Sequence, residues 1–263
     1  MIIDAHVHLP VGDGSNSLLR QKERLLYEMK ENKVNRCIVI SDSSMESAIG
    51  TLDECVELFV ETDNVDVVGG ISPFYNFSPQ LIKLKQYLDE KLIVGIKLFT
   101  GHEAFYLTDE RLKDVYELAI QYNVPVLFHS GWDNSQYSDV RLVVEVAKRY
   151  PELKLVVCHC FYPELENCMA LMEFENVIFD LSSVADDVNV QENIARIIKK
   201  IINKAPERVL FGSDFSCCSQ REHINFIRDL KLIGEVEDKI FWRNAKRIYQ
   251  LRGESDNEVM DKI

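Results

Sequence analysis

Short hydrophobic runs alternate with longer amphipathic segments along almost the whole chain. The runs are rich in Val, Ile and Leu and show little alternation of apolar and polar positions, which is typical of strands buried on both faces. Eight runs are predicted to be strands: residues 2–7, 36–41, 66–72, 93–99, 124–129, 154–159, 176–181 and 208–214. Their average spacing of roughly thirty residues is that of a strand–helix–strand unit.

The segments between the runs are predicted to be helices because their apolar residues recur every three or four positions. These segments are residues 18–31, 46–62, 79–90, 109–122, 140–150, 194–204 and 220–233. Eight strands with intervening helices close naturally into a barrel, so the predicted fold is α/β, a single (β/α)8 TIM barrel. An open doubly wound sheet is the alternative, but no glycine-rich phosphate loop follows any predicted strand.

The domain organisation is predicted to be simple. Residues 1–252 suffice for one barrel, and the polar residues 253–263 are expected to form a short C-terminal tail. The chain has 263 residues, of which 46% are hydrophobic and 28% charged, and these fractions are those of an ordinary soluble globular protein.

Charge and cysteine content restrict the partners. The net charge of −13 disfavours binding to a polyanion such as nucleic acid. No apolar run is long enough to span a bilayer, and the N-terminal residues lack a signal-peptide pattern. The seven cysteines are odd in number and lack the dense spacing of a disulfide scaffold, which favours a reducing compartment. We therefore expect a cytoplasmic protein that acts on a small-molecule substrate; a homo-oligomer is left open.

Residues able to bind a metal lie at the C-terminal ends of several predicted strands. His6 and His8 are two positions apart, so both point to the same side of the first strand. The C-terminal ends of all the strands of a TIM barrel meet at one face, where reactions occur. The other chemically capable residues at these ends are Lys97 in the fourth strand, His129 in the fifth, His159 in the sixth and Asp214 in the eighth.

This set of side chains suits a metal-dependent reaction. Imidazoles and a carboxylate are typical ligands of zinc and other borderline divalent ions. A water in an open coordination position of zinc loses its proton near pH ~7. Asp214 could bind the ion, take a proton from that water and pass it to the leaving group.

Six motifs occur in one order along the chain: D-A-H-V-H (4–8), G-I-K-L-F (95–99), P-V-L-F-H-S-G (125–131), L-V-V-C-H-C (155–160), F-G-S-D-F (211–215) and F-W-R-N-A-K-R-I (241–248). Together they resemble the amidohydrolase superfamily, in particular the amidohydrolase-related (amidohydrolase 2) branch that also contains aminocarboxymuconate-semialdehyde-type decarboxylases. The resemblance extends over nearly the whole chain.

The resemblance implies a ligand set. If the ligands of the family are transferred to the matching positions, a divalent metal is bound by His6, His8, His129 and Asp214. Zinc is the preferred candidate for this metal. His159 is then either a ligand of a second metal or an unligated electrophile that polarises the substrate carbonyl. Phe99 stands where relatives of this branch often carry a histidine.

Other residues near the predicted site have several interpretations. Lys97 could be carboxylated and bridge two metals, bind a substrate carboxylate as a cation, or pair with Asp214 in a structural role. Asp180 is expected to support the site by hydrogen bonding, and Trp132 could form a pocket wall. His102 is expected to be a solvated loop residue, with substrate contact as the alternative.

Three further predictions concern side chains outside the metal centre. Alternation along the sixth strand predicts that Cys158 and Cys160 point away from the metal, into the layer between strands and helices. Cys217 and Cys218 are expected to pack structurally, with the alternative that they line the pocket or are redox-sensitive. His223, in a charged helix start, is expected at the surface.

The leading functional hypothesis is hydrolysis of a small C–N or C–O bond, in a cyclic amide, lactone or ester, by a metal-bound hydroxide. The metal and His159 would polarise the carbonyl, and Asp214 would transfer the proton. The first alternative is non-oxidative decarboxylation of a small unsaturated or aromatic acid, held by Lys97 or Arg141. The second is a catalytically inactive barrel that binds a metabolite.

Overall fold

Eight parallel strands follow one another around a single sheet, in the order in which they occur along the chain. The computed structural model describes residues 1–11, 17–44, 46–132, 135–185 and 191–251. The strands are β1 (Ile3–Val7), β2 (Arg36–Ile40), β3 (Val65–Gly70), β4 (Gly95–Leu98), β5 (Val126–Phe128), β6 (Leu155–Val157), β7 (Val177–Asp180) and β8 (Val209–Leu210). All eight lie within or next to the predicted runs.

The sheet closes where β1 meets the end of β8. The amide of Ala5 donates to the carbonyl of Phe211 at 2.9 Å, and the amide of Asp214 donates to the carbonyl of His6 at 2.8 Å. Val7 and Phe215 form a parallel bridge beyond these bonds. The prediction of a single (β/α)8 TIM barrel is therefore confirmed.

Helices connect the strands on the outside of the barrel. They are α1 (Leu18–Asn32), α2 (Leu52–Phe59), α3 (Phe77–Asp89), α4 (Lys113–Tyr122), α5 (Val140–Arg149), α6 (Gln191–Lys204), α7 (Gln220–Asp229), α8 (Gly234–Asp238) and α9 (Asn244–Ile248), with a π-helical turn at Lys239–Arg243. Short 3-10 helices span Glu110–Leu112, Ser135–Ser138, Cys158–Phe161, Leu165–Leu171 and Pro206–Arg208.

The second predicted helix was placed too early. The sequence pattern predicts a start at residue 46, whereas α2 begins at Leu52. Gly50 has a φ of 85°, which interrupts any helix before it, and Thr51 then caps α2. The cap is reciprocal, because the Thr51 side chain accepts from the amide of Glu54 and the Glu54 carboxylate accepts from the amide of Thr51.

Two apolar layers explain why the strands are hydrophobic on both faces. One layer fills the barrel interior, and it includes Ile38, Val68, Leu127 and Leu210 from the strands and Tyr249 from the segment after α9. The other layer packs the opposite strand faces against the helices. Side chains inside a TIM barrel form a packed core, so open space for chemistry remains only at its ends.

The described part of the chain contains no helix that combines the length and the apolar character needed to cross a membrane. The predicted tail, residues 253–263, lies outside the described residues.

Candidate metal centre

The two histidines of β1 present their Nε2 atoms to the same space. Nδ1 of His6 lies 2.6 Å from Oδ2 of Asp180, at the end of β7. Nδ1 of His8 lies 3.1 Å from the carbonyl oxygen of Ile40, at the end of β2. Each acceptor stabilises the tautomer that carries its proton on Nδ1, so both Nε2 lone pairs are left for a ligand bond.

Asp214 meets both of these lone pairs. Its Oδ1 lies 3.5 Å from Nε2 of His6 and 3.5 Å from Nε2 of His8. Its Oδ2 accepts a 2.6 Å hydrogen bond from the hydroxyl of Ser183. One ligand atom from each of His6, His8 and Asp214 lies within 4.8 Å of the other two, which is close enough for one ion to reach all three.

The strongest local indication of a metal is an unsatisfied nitrogen. Nε2 of His6 is buried and has no hydrogen-bond partner among the described residues. A buried polar atom without a partner costs about 1–3 kcal/mol. Because this nitrogen is aimed at a carboxylate and a second imidazole, a divalent cation fits the residues present.

The pKa values of His6, His8 and Asp214 are shifted by burial and by neighbouring charges. Burial lowers the pKa of His6, but the charges of Asp180 and Cys158 and the hydrogen bond to Asp180 together outweigh it and raise that pKa to about 10. Burial lowers the pKa of His8 to about 4. The charge of Asp214 opposes this shift, and the charges of His6 and Lys97 add to it. Burial would raise the pKa of Asp214, yet His159, His6 and His8 hold it well below its usual range. The carboxylate is therefore ionised, and a cation at Nε2 of His6 would replace the second proton of that imidazole.

His159 reaches the site because the backbone leaves the extended conformation. β6 ends at Val157, and His159 has a φ of 62°. Its Nδ1 lies 2.9 Å from Oγ of Ser182, and that hydroxyl already donates to Asp180. Nδ1 of His159 is therefore the donor to Ser182, which leaves a lone pair on Nε2. Burial lowers the pKa of His159 to about 3, so the ring is neutral. The charges of Asp214 and Asp180 oppose this shift, and those of His6 and Lys97 add to it.

His129 lines the same space and lies next to His159. Its ring centroid is 5.0 Å from that of His159 and 4.1 Å from that of His102, and its ring is stacked on Trp132 at 5.8 Å. Burial and the charges of His159, Lys97 and His102 keep its pKa well below the usual range. Two close groups of ligand atoms are found among the described residues, His6–His8–Asp214 and His6–Cys158–Asp180, and neither contains His129.

Lys97 is fully enclosed at the floor of the site. Its side chain is 1% exposed, and its ammonium nitrogen lies 3.1 Å from Sγ of Cys158 and 5.3 Å from the ring centroid of Phe99. The prediction that Cys158 points outward is wrong. Cys158 has the same parity as Val156, which faces the barrel interior, and the strand conformation persists until His159 turns away. Cys160, by contrast, packs in the outer layer as predicted.

A cavity of about 740 Å³ opens in front of these side chains. Its wall includes Trp132, which is 40% exposed, as the sequence suggested for a pocket wall. The remaining lining that bears on function consists of His8, Lys97, His102, Glu103, His129, His159, Ser183, Asp214, Cys217 and Cys218. Arg141 is not part of it, because its side chain is 87% exposed and pairs with Asp139 at 2.8 Å.

Two serines after β7 were missed by the sequence reasoning. The hydroxyl of Ser182 lies between Asp180 and His159, at 2.9 Å from a side-chain atom of each. Ser183 orients Asp214 and has a φ of 60°. The available signal is the pair of small hydroxyl residues that directly follows the strand-seven carboxylate, in D-L-S-S. Asp180 acts through hydrogen bonds, as expected of it.

Asp4 was also missed, although it stands in the D-A-H-V-H motif. Its buried carboxylate accepts hydrogen bonds from the amide of Ser213 at 2.9 Å, the hydroxyl of Ser213 at 2.6 Å and the side-chain amide of Gln220 at 2.9 Å. Burial raises the pKa of Asp4 to about 6, although these hydrogen bonds oppose the shift. Asp4 thus fixes β1, which carries two candidate ligands, to the segment that carries Asp214.

Two expectations for side chains around the site are wrong. His223 is 1% exposed rather than at the surface, because its ring turns back onto its own helix start and lies 3.0 Å from the carbonyl of Ser219. Cys217 is exposed and Cys218 half-buried, and both line the cavity instead of packing in the core. They occupy the turn that begins at Asp214, whose carbonyl accepts from both of their amides.

Fold and site together define a TIM barrel with candidate metal ligands at its C-terminal mouth. A family model described as Amidohydrolase matches residues 3–251, so the chain belongs to the amidohydrolase family, whose enzymes are metal-dependent. No curated protein sequence matches the chain.

Solved structures share the fold at low sequence identity. An uncharacterised TIM-barrel protein from Bordetella bronchiseptica is 17% identical with a TM-score of 0.77, over 95% of this chain and 98% of that one. A putative 2-pyrone-4,6-dicarboxylic acid hydrolase from Pseudomonas putida is 14% identical with a TM-score of 0.73, over 96% and 98%. The 5-carboxyvanillate decarboxylase of Sphingomonas paucimobilis is 13% identical with a TM-score of 0.70, over 95% and 99%.

Proposed function

We propose that the protein is a metal-dependent hydrolase that cleaves a small C–N or C–O bond in a cyclic amide, lactone or ester. The observation that carries the proposal is the group formed by His6, His8 and Asp214, in which Nε2 of His6 has no hydrogen-bond partner within the described part of the chain. Zinc is the proposed ion because nitrogen and carboxylate ligands suit it. The rings of His129 and His159, with centroids 5.0 Å apart, are the proposed supports of this ion or ligands of a second one.

Different residues would bind the ion, orient its ligands and accept a proton. His6 and His8 would hold the ion through Nε2, and Asp180 and Ile40 fix the orientation of their rings. A bound ion would supply Lewis acidity, which polarises a carbonyl and lowers the pKa of a water to about 7 in the case of zinc. Asp214 is ionised and can accept a proton, and its other oxygen is held by Ser183.

The hydrogen bonds of His159 refine the mechanism. A neutral ring that donates from Nδ1 to Ser182 has no proton on Nε2. His159 therefore suits a hydrogen-bond acceptor, either a ligand or a base for the attacking water, better than a donor that polarises the carbonyl. We therefore propose the acceptor role for His159 in preference to the electrophilic role, which was one of the two alternatives inferred from the sequence.

The cavity suits a small flat substrate. Its volume of about 740 Å³ lies in the range of small-molecule sites, and Trp132 offers an aromatic face. The buried cation of Lys97 would favour a substrate that bears a carboxylate. The cytoplasmic location and the homo-oligomer remain predictions.

Lys97 also favours a second candidate function, the non-oxidative decarboxylation of a small unsaturated or aromatic acid. A buried ammonium can bind the carboxylate of such an acid beside the proposed metal. The proteins of known structure that share this fold include both a putative hydrolase and a decarboxylase.

Isotope-labelled products separate the two reactions. The zinc-loaded protein is incubated in ¹⁸O-labelled water with a panel of lactones, cyclic amides, esters and aromatic acids. Hydrolysis places one ¹⁸O in the product, whereas decarboxylation releases CO₂ and leaves no ¹⁸O in the organic product. Release of CO₂ without ¹⁸O incorporation contradicts the hydrolase proposal.

The role of Asp214 is tested on whichever substrate the panel identifies. Asp214→Asn is expected to lower kcat at least about 100-fold, the usual contribution of a general acid–base group. Asp114→Asn, at an exposed position in the first turn of α4, is the matched control and should keep full activity. Equal turnover by the two variants contradicts the assignment.

A further inference from the structure

Two of the seven cysteines differ from the others in their surroundings. Cys217 is exposed and Cys218 is half-buried, and both line the cavity in front of the metal centre. The five remaining cysteines are buried: Cys37, Cys55, Cys158, Cys160 and Cys168. A reagent in solution therefore meets an adjacent pair of thiols at the mouth of the cavity, and the other five are shielded.

A chain of contacts connects Cys218 to a proposed metal ligand. Sγ of Cys218 lies 3.2 Å from Oγ of Ser183, and the same hydroxyl donates to Oδ2 of Asp214 at 2.6 Å. The backbone provides a second connection, because the amides of Cys217 and Cys218 donate to the carbonyl of Asp214 at 2.9 and 3.1 Å. The thiols and the carboxylate therefore belong to one hydrogen-bonded turn.

We propose that Cys217 and Cys218 form a modification site for small thiol-directed reagents of the disulfide and thiosulfonate class, and that an adduct on Cys218 weakens metal binding at Asp214. In this reaction the thiol of Cys218 loses its proton and its sulfur attacks a sulfur of the reagent. A new S–S bond forms, the S–S bond of the reagent breaks, and the second sulfur group leaves with the electron pair and a proton. The effect on metal binding rests on the proposed function; the reactivity of the pair does not.

The geometry explains why an adduct would reach the metal. At 3.2 Å, Cys218 and Ser183 are already in contact, so a group that extends from the sulfur toward Ser183 displaces the serine hydroxyl or pushes the turn away from it. Either movement removes the hydrogen bond that fixes Asp214. Loss of such a supporting bond typically lowers metal affinity about 10-fold to 100-fold.

The test uses methyl methanethiosulfonate on the folded, zinc-free protein, followed by mass spectrometry and zinc titration. We expect adducts on Cys217 and Cys218, whereas the same reagent in denaturant should reach all seven cysteines. The modified protein should bind zinc at least about tenfold more weakly, and dithiothreitol should restore the affinity.

Three variants locate the effect. Cys217→Ser should remain sensitive to the reagent, whereas Cys218→Ser should bind zinc with the same affinity before and after treatment. Ser183→Ala should bind zinc about tenfold more weakly without any reagent, and modification should then add little, because the two changes remove the same hydrogen bond.

Each possible failure has a distinct meaning. Adducts on buried cysteines, or none on Cys217 and Cys218, overturn the modification site. Adducts on Cys218 with unchanged zinc affinity overturn its connection to Asp214. Zinc binding by the untreated protein is measured first, and its absence would refute the proposed function while the adduct pattern still decides the modification site.

Discussion

Exchange of Asp180 for asparagine tests whether the proton on His6 determines metal binding. Asp180 accepts from Nδ1 of His6 at 2.6 Å through Oδ2 and from the amide of Ser182 at 3.0 Å through Oδ1. An asparagine has one acceptor atom for these two donors. If its oxygen faces Ser182, its amino group faces His6, whose ring must then carry the proton on Nε2 instead of Nδ1. If the amide is flipped, its amino group faces the amide of Ser182.

The expected loss follows from this conflict. A proton on Nε2 of His6 occupies the lone pair that would bind the ion. Substitution of such supporting groups typically lowers metal affinity about 10-fold to 100-fold, which corresponds to about 1.4–2.8 kcal/mol of binding free energy. The barrel itself should persist, because Asp180 lies at the end of β7 and the apolar layers around it are unchanged.

Zinc affinity is measured by competition with a chromogenic chelator, and folding is checked by circular dichroism. Asp114→Asn serves again as the exposed control. If Asp180→Asn folds normally and binds zinc within about twofold of the parent protein, the tautomer argument is refuted, since that ratio is under 0.5 kcal/mol. The position of His6 in the metal centre would then need another explanation.

Three further predictions concern metal removal and close packing. Zinc at about one hundred times its dissociation constant should stabilise the folded protein by about 2.7 kcal/mol. Removal of the zinc by a chelator should therefore lower the melting temperature measured by calorimetry by about 5–10 °C. An unchanged melting temperature contradicts a native zinc site. Gly212→Ala should lower the free energy of unfolding, measured in urea, by about 1–3 kcal/mol. The reason is that the new Cβ would lie 2.5 Å from Oδ1 of Asp180 and 2.9 Å from Cβ of His6. Full stability of the variant would show that these groups move freely. Asp4→Ala should lower the free energy of unfolding by about 1–3 kcal/mol, because it leaves the buried hydrogen-bond donors of Ser213 without this acceptor. An unaltered urea midpoint would show that the link between β1 and the Asp214 segment is dispensable.

The fold was predictable from the sequence because its dominant energy is local and periodic. Strands buried on both faces need continuous apolar runs, and the eight runs stand at a spacing that only a few architectures accommodate. The boundary of α2 was missed because Gly50 and Thr51 act through backbone conformation and capping, which a hydrophobic pattern does not record.

The direction of a side chain was predictable only where the strand remains regular. His6 and His8 lie within or next to β1, so simple alternation places both on one side. Alternation gave the wrong direction for Cys158, since the reasoning assumed that His159 still obeys the strand period. The serines that orient Asp214 and His159 could not be assigned, because their partners lie in the segments that follow the neighbouring strands β6 and β8.

Three residues of the site that lie beyond the ends of their strands share one backbone property. His159, Ser183 and Asp214 have φ values of 62°, 60° and 62°, a region that costs a residue other than glycine about 1–3 kcal/mol. Each follows a strand that ends early, and the left-handed residue turns its side chain toward the mouth of the barrel. Such conformations persist only where the surroundings hold them, and here the Ser182–His159 and Ser183–Asp214 hydrogen bonds do so. The same bonds that fix the candidate ligands therefore also stabilise the strained backbone, so a change that breaks one of them should disturb the position of the ligand and the conformation of the chain together.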